Sequence, residues 1–250
     1  MKKVTFAVMS MTMFGLFVTS CSKDDVEEPH VILTTTDIVM NYKQTKKLTA
    51  VNASSWRTEN DFVAEVDENG LVTGGHVGTT RIIASNGSSS ATCNVTILPK
   101  YNLYDTPILD WGDSMSEIRN KETHEYESKT SNSTSLVYNY TYDTENPCLV
   151  VYSFKNGEMY WVTLFLKWTY FPNAVDYLLE RYQAMSLDRA KQNAMFWDAF
   201  TKDKLKTVIL IELTEISGSP IIKINYADAR KIAEPSNLNK KTLASPLLLP

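Results

Sequence analysis

Val63-Ala64-Glu65-Val66-Asp67-Glu68-Asn69-Gly70-Leu71-Val72-Thr73-Gly74 decides the fold of the first half of this 250-residue chain. An apolar run with a single charge reads as a short, half-buried strand, and Asn-Gly supplies the positive φ that a tight reversal needs. The same alternation of strand and turn extends on both sides. Apolar clusters lie at Val31-Ile32-Leu33, Leu48-Thr49-Ala50-Val51, Arg81-Ile82-Ile83-Ala84 and Cys93-Asn94-Val95-Thr96-Ile97, with turn signals at Gly74-Gly75 and Asn86-Gly87. Short strands at this spacing predict a β-sandwich over residues 31–98.

Trp56, then Val63 to Asp67, Asn69 to Gly74, Gly78-Thr79-Thr80-Arg81-Ile82 and Ala91 to Ile97 occur in the order found in the bacterial immunoglobulin-like domain of group two, and the segment resembles that family. The resemblance implies an all-β immunoglobulin-like sandwich in which the glycine before Thr-x-x-Ile permits a tight reversal and the closing strand pairs at an edge. The approach to Trp56 is shorter and more polar than the family's proline-containing loop. Such modules act as spacers, stalks and adhesive units, so the fold alone assigns no activity. Trp56 is expected in or beside the core, given the area a tryptophan buries. His76, beside Gly74-Gly75, is expected to be a solvated turn histidine.

The N-terminus gives a location. Lys2 and Lys3 precede an apolar stretch from Val4 to Val18, and small residues lead to Cys21. Residues 1–20 resemble a bacterial lipoprotein signal peptide, which implies that Cys21 is lipidated and that acyl chains hold the protein at a membrane. Lys23-Asp24-Asp25 and Glu27-Glu28 follow within the linker 21–30. They resemble the early charged cluster that directs lipoproteins of certain Gram-negative bacteria to the outer face of the outer membrane; a solvated linker lifting the fold off the bilayer is the other reading.

Losing Lys2 and Lys3 moves the formal charge from −4 to −6, with 23 basic against 29 acidic residues. An acidic chain is a poor partner for nucleic acid, and no second apolar run is long enough to span a membrane. Beyond Cys21 only Cys93 and Cys148 remain, one in each half. They are expected to be free, buried thiols.

Pro99-Lys100 ends the sandwich pattern, and residues 101–230 change character. Ser114 with Glu117 three residues on forms a capping box, which predicts a helix to about Lys121. Strands are predicted at 135–142, 148–154 and 159–167, with an Asn156-Gly157 hairpin. Asn173 is read as the cap of a helix over 174–182, and 186–193 as added helix. Strands return at 195–200, 206–214 and 220–226. Helix followed by three strands, twice, predicts an α+β domain with duplicated α-β-β-β units and an antiparallel sheet. This element order resembles the β-lactamase inhibitory protein and small outer-membrane assembly lipoproteins, and Pro107 to Gly112 resembles the start of a C-terminal module that follows immunoglobulin-like domains in surface lipoproteins. Residues 231–250 read as a loosely attached tail whose Leu247-Leu248-Leu249 can dock on the domain.

Strand alternation separates two sheet faces. Tyr160, Val162, Leu164 and Leu166, with Thr207, Ile209, Ile211, Leu213, Ile222, Ile224 and Tyr226, should pack under the helices. The opposite phase holds Trp161, Thr163, Phe165 and Lys167 and mixes charge with aromatic groups, so Trp161 and Phe165 are the candidate ligand-binding residues, on an open face suited to a sugar ring or a protein partner. A covering loop such as 101–109, or the sandwich, is the competing expectation.

His30, His76 and His124 lie in separate segments without metal-ligand spacing, and nucleophile-elbow and phosphate-loop patterns do not occur. Asp110, Asp113, Glu117 and Glu122 are read as helix-start acids rather than a catalytic pair. No enzyme, metal or cofactor is expected. The sequence points to a lipid-anchored, surface-exposed, non-catalytic binding or adhesion protein with a glycan or protein ligand; a periplasm-facing structural or envelope-assembly lipoprotein is the alternative.

Overall fold

The computed structural model describes residues 29–140 and 148–232. Cys21, the charged linker up to residue 28 and the tail from 233 lie outside the described residues.

Gly70 takes φ +80°, and a Cβ at that position would stand 2.8 Å from the Trp56 ring and 2.9 Å from the Leu48 carbonyl oxygen. The Asn-Gly turn therefore serves two ends: it reverses the chain and lets the half-buried Trp56 lie against the backbone. Around it are β1 (Ile32–Leu33), β2 (Asp37–Asn41), β3 (Thr45–Lys47), β4 (Ala50–Val51), β5 (Ser55–Thr58), β6 (Ala64–Val66), β7 (Leu71–Gly74), β8 (Gly78–Ser85) and β9 (Ser90–Leu98). One sheet has the order β2-β9-β8-β5 and another β3-β7-β6, with β1 and β4 as a separate pair. β2 runs parallel to β9, while the other pairings are antiparallel. Ile38, Met40, Ile82, Cys93, Val95 and Ile97 from the first sheet share one core with Ala64 and Val72 from the second, so the two sheets form a sandwich.

The second half begins with α1 (Met115–Lys121), where the Ser114 capping box forms as the sequence requires. It continues through β10 (Glu125–Tyr126), β11 (Ser135–Asn139), β12 (Leu149–Lys155) and β13 (Glu158–Lys167), then α2 (Phe171–Leu179), β14 (Gln183–Asp188), β15 (Asn193–Trp197), β16 (Thr207–Ile216) and β17 (Ser219–Asp228). These eight strands make one antiparallel sheet in the order β10-β11-β12-β13-β17-β16-β15-β14. The order reads the same from both edges: among the described residues each half is a helix and four strands, and the two last strands meet at the centre. Each half thus has one strand more than the three expected. Asn156-Gly157 and Ser217-Gly218 both turn with two consecutive positive φ values, the twist-matched hairpin geometry.

Four expectations are corrected. Residues 186–193 are not helical: β14 pairs with β15, and the Asp188 carboxylate accepts the Ala190 and Lys191 N–H groups at 3.1 and 3.0 Å, closing a local turn that competes with helix. The second helix runs from Phe171 to Leu179 rather than from Ala174 to Tyr182, because Pro172 in the first turn has the right φ and no N–H to waste. At Tyr160, β13 carries one residue more than β12, since Ser153 faces Trp161 while Phe154 faces Met159. This bulge puts Met159, not Tyr160, into the core under the helices with Val162, Leu164 and Leu166. Leu213 lies beyond that core and is exposed.

Phe171, Ala174, Val175, Tyr177 and Leu178 of α2 and Ile118 of α1 bury against the sheet through Leu164, Ile209, Ile224 and Tyr226. The loop holding Tyr101, Leu103, Ile108 and Leu109 packs on this same core. Cys93 and Cys148 are both buried and free.

Candidate functional site

Trp161 and Phe165 lie on the face opposite the helices, outside the main core, as alternation requires. The expected openness of that face is corrected, since the two rings are only 7% and 8% exposed. Registers explain how. Ser135, Ser153, Trp161, Ala227, Val208 and Trp197 form one row across six strands, so the Trp161 ring has small Ala227 on one side and Ser153 on the other. Tyr160, Leu210 and Ile232 pack against it. Its Nε1 donates to Thr163 Oγ1 at 3.0 Å, and that hydroxyl donates to Asn225 Oδ1 at 2.9 Å. Phe165 sits among Val137, Val151, Leu149, Ile216 and Ile221, with Lys223 Nζ 5.9 Å from its ring centre. Both rings lie among neighbours of their own face. The loop 101–109 covers the helix side instead.

An accessible aromatic group sits where the two halves meet. Their junction is built on Glu180, the residue that ends α2, whose side chain is 1% exposed. Its carboxylate accepts the N–H groups of Lys100 and Tyr101 at 2.9 and 3.0 Å, fixing the connecting segment, and its carbonyl accepts Val77 N–H from the sandwich at 2.7 Å. Arg181 pairs with the same carboxylate at 2.6 Å and lies 3.7 Å from the Tyr177 ring centre. A buried carboxylate is tolerated because each of these donors replaces lost water.

Beside Glu180, three rings bridge the junction. His76 stacks on Phe62 with centroids 4.0 Å apart, and Phe200 from the second half stands 5.0 Å from Phe62 and 5.9 Å from His76. His76 is 5% exposed, which corrects the expectation of a solvated turn residue; it fills the joint, with Nδ1 2.9 Å from the Phe62 carbonyl oxygen. Burial pushes its imidazole below the usual range, against the opposing pull of the Phe62 and Tyr182 carbonyls. Phe200 is 42% exposed and faces a cleft of about 660 Å³. Glu59, Asp61, Asp198 and Asp203 line it with Lys204, Lys206 and Arg230. Several of these charges are already matched: Arg81 to Glu59 at 2.7 Å, Lys204 to Asp61 at 3.9 Å and Arg230 to Asp228 at 2.9 Å. Sequence reading missed this site because its walls come from positions more than a hundred residues apart, and Phe200 looked like the end of a strand.

A second buried carboxylate, Glu122, ends α1. It accepts hydrogen bonds from the hydroxyls of Tyr140 and Tyr152, the latter at 2.6 Å, and from His124 Nδ1 at 2.7 Å. Burial works to raise its pKa, and these hydrogen bonds together outweigh burial and hold it below the usual carboxylate value. His124 stacks on Tyr140 and its Nε2 lies 3.2 Å from Asp105. This network ties helix, sheet and the Ile108 loop together, Tyr152 also accepting Ile108 N–H at 3.1 Å. Among the described residues no group of three or more His, Cys, Asp or Glu is placed to hold a metal ion, and no helix is long and apolar enough to cross a membrane.

No protein-family profile matches the chain, and no curated protein matches it. Among solved structures, domains 5–6 of the S-layer protein SbsC share 10% identity at a TM-score of 0.25, over 81% of this chain and 86% of that one. Domains 4–9 of SbsC share 13% at a TM-score of 0.23, over 80% of this chain and 27% of that one. BT4661, a SusE-like surface-located polysaccharide-binding protein from the Bacteroides thetaiotaomicron heparin utilisation locus, shares 12% at 0.22, over 78% of this chain and 33% of that one. These neighbours are surface proteins, and at such scores the likeness fixes neither a fold nor a ligand for this chain.

Proposed function

We propose that this chain is a lipid-anchored, surface-exposed, non-catalytic binding or adhesion protein whose glycan or protein ligand sits where its two halves meet. In this reading Cys21 carries the lipid at the outer membrane, residues 31–98 form an immunoglobulin-like spacer of bacterial group two, and residues 101–230 form a duplicated α+β domain. The observation that carries it is the cleft at the junction, where Phe200 is exposed on a support of Phe62 and His76. Clefts between packed units are among the preferred places for ligand sites. The ligand site is assigned to this cleft rather than to Trp161 and Phe165 because those rings are covered.

The test has two arms. Protease shaving of intact cells should cut the protein, and Cys21→Ala should release it from the membrane fraction. Purified Phe200→Ala protein should attach to bacterial or host surfaces less well than wild type while melting at the same temperature. Survival of the intact protein beside a surface protein that is cut would favour the periplasm-facing structural role, and unchanged attachment of Phe200→Ala would remove the cleft from the account.

A further inference from the structure

The chemistry of the junction cleft narrows its ligand class, on the reading that the cleft is the binding site. Phe200 presents a ring whose back is held by Phe62 and His76 and whose front meets water. A ring fixed in this way stacks on an apolar surface with little entropy to lose. The walls around it combine apolar Ala199 and Leu205 with carboxylates: Asp198 accepts Lys206 N–H at 2.9 Å, and Asp203 also lines the cleft. Carboxylates accept hydroxyl hydrogen bonds strongly.

Charge balance argues against an anionic ligand. A sulfated or phosphorylated partner requires an excess of cations. Here the four lining carboxylates outnumber the three lining cations, and Lys204 and Arg230 already have carboxylate partners. A peptide anchored by a large apolar side chain requires a dry pocket. Phe200, 42% exposed, instead meets water. A pyranose ring offers what remains, an apolar C–H face for the aromatic ring and hydroxyls for the carboxylates around it. We propose that the junction cleft binds an uncharged oligosaccharide, with one sugar ring on Phe200 and hydroxyl contacts to Asp198 and Asp203.

Affinity electrophoresis of the full chain in detergent, in gels containing pullulan, mannan, laminarin or heparin, tests this. At least one neutral polysaccharide should retard the protein, and retardation should persist in about 0.5 M salt, where exposed charges are screened. Phe200→Ala should weaken it by about tenfold or more, Phe200→Trp should retain it, and Asp198→Ala should weaken it as well. Retardation by heparin alone, lost in salt, overturns the uncharged class. Retardation by none of the four overturns it too, and the surface-attachment assay then separates the two readings: attachment still sensitive to Phe200→Ala leaves the cleft as a site for another ligand, whereas insensitive attachment removes both.

Discussion

Truncating Trp161 to alanine tests whether the outer sheet face is a platform or a core. The ring is 7% exposed, and Tyr160, Ala227, Leu210 and Ile232 surround it. Removing a buried tryptophan forfeits its transfer energy and leaves a cavity that only partly collapses, at a cost of about 3–5 kcal/mol. Losing the Nε1 donor adds little, since Thr163 Oγ1 still donates to Asn225. For a cooperative unit of this size each kcal/mol lowers the melting temperature by roughly 2–4 °C, so the variant should melt about 6–20 °C below wild type. Trp168, 45% exposed, is the matched control, and Trp168→Ala should change stability by no more than about 0.5 kcal/mol. Circular dichroism melts of the three proteins decide it. A Trp161→Ala protein that melts with wild type would show the ring to be a dispensable surface group and would return the outer face to consideration as a binding platform.

Glu180→Ala should destabilise the fold by about 2–5 kcal/mol, measured by urea denaturation, because the Lys100 and Tyr101 amides and the Arg181 guanidinium all lose their acceptor. Gly70→Ala should cost about 2–4 kcal/mol in the same assay, from a left-handed backbone and a Cβ forced onto Trp56 and the Leu48 carbonyl. The depressed pKa of His76 means that the unfolded chain takes up a proton below about 6.5 and the folded one only at lower pH, so stability falls as pH drops through this window. His76→Phe should flatten that part of the pH–stability curve. Glu122, also depressed, stabilises the fold above its ordinary value of 4.5 and loses this contribution as pH falls through its lower folded value; Glu122→Gln should be less stable at neutral pH and lose less on acidification.

Local chemistry was legible where it needed no distant partner. The Ser114–Glu117 capping box, the Asn156-Gly157 reversal and the Asn69-Gly70 turn all follow from side-chain geometry within a few residues. Alternation also assigned Val162, Leu164 and Leu166 to the helix side correctly, and failed two residues earlier because one extra residue at Tyr160 shifts the phase. The spacing of Leu187, Ala190 and Ala194 fits a helix, yet the segment pairs as a strand: the turn at Asp188 and the ladder to β15 override a weak local preference. Exposure was the least legible property. Strand phase tells which face a residue takes, and only the register across six strands tells that Trp161 lies between Ser153 and Ala227.

The mirrored sheet order gives the two halves a common frame, and the buried glutamates show how one frame serves two ends. Glu122 and Glu180 each terminate the helix of their half with a side chain that is 2% and 1% exposed. In the first half the carboxylate is satisfied from within, by Tyr140, Tyr152 and His124, and closes the core at that end. In the second it is satisfied by the chain arriving from the sandwich, through Lys100 and Tyr101, while the same residue's carbonyl takes Val77 N–H. The position that seals one half is thus the position at which the other accepts its neighbour. A desolvated carboxylate is costly unless every donor is in place, so Glu180 favours one arrangement of the sandwich over all those that would leave it unpaired. That arrangement brings Phe62 and His76 against Phe200 and creates the cleft. The geometry of the proposed site therefore depends on a residue outside it, and Glu180→Gln, which keeps the shape but weakens the charge-assisted bonds, should loosen ligand attachment; equal affinity of variant and wild type would uncouple the junction from the site.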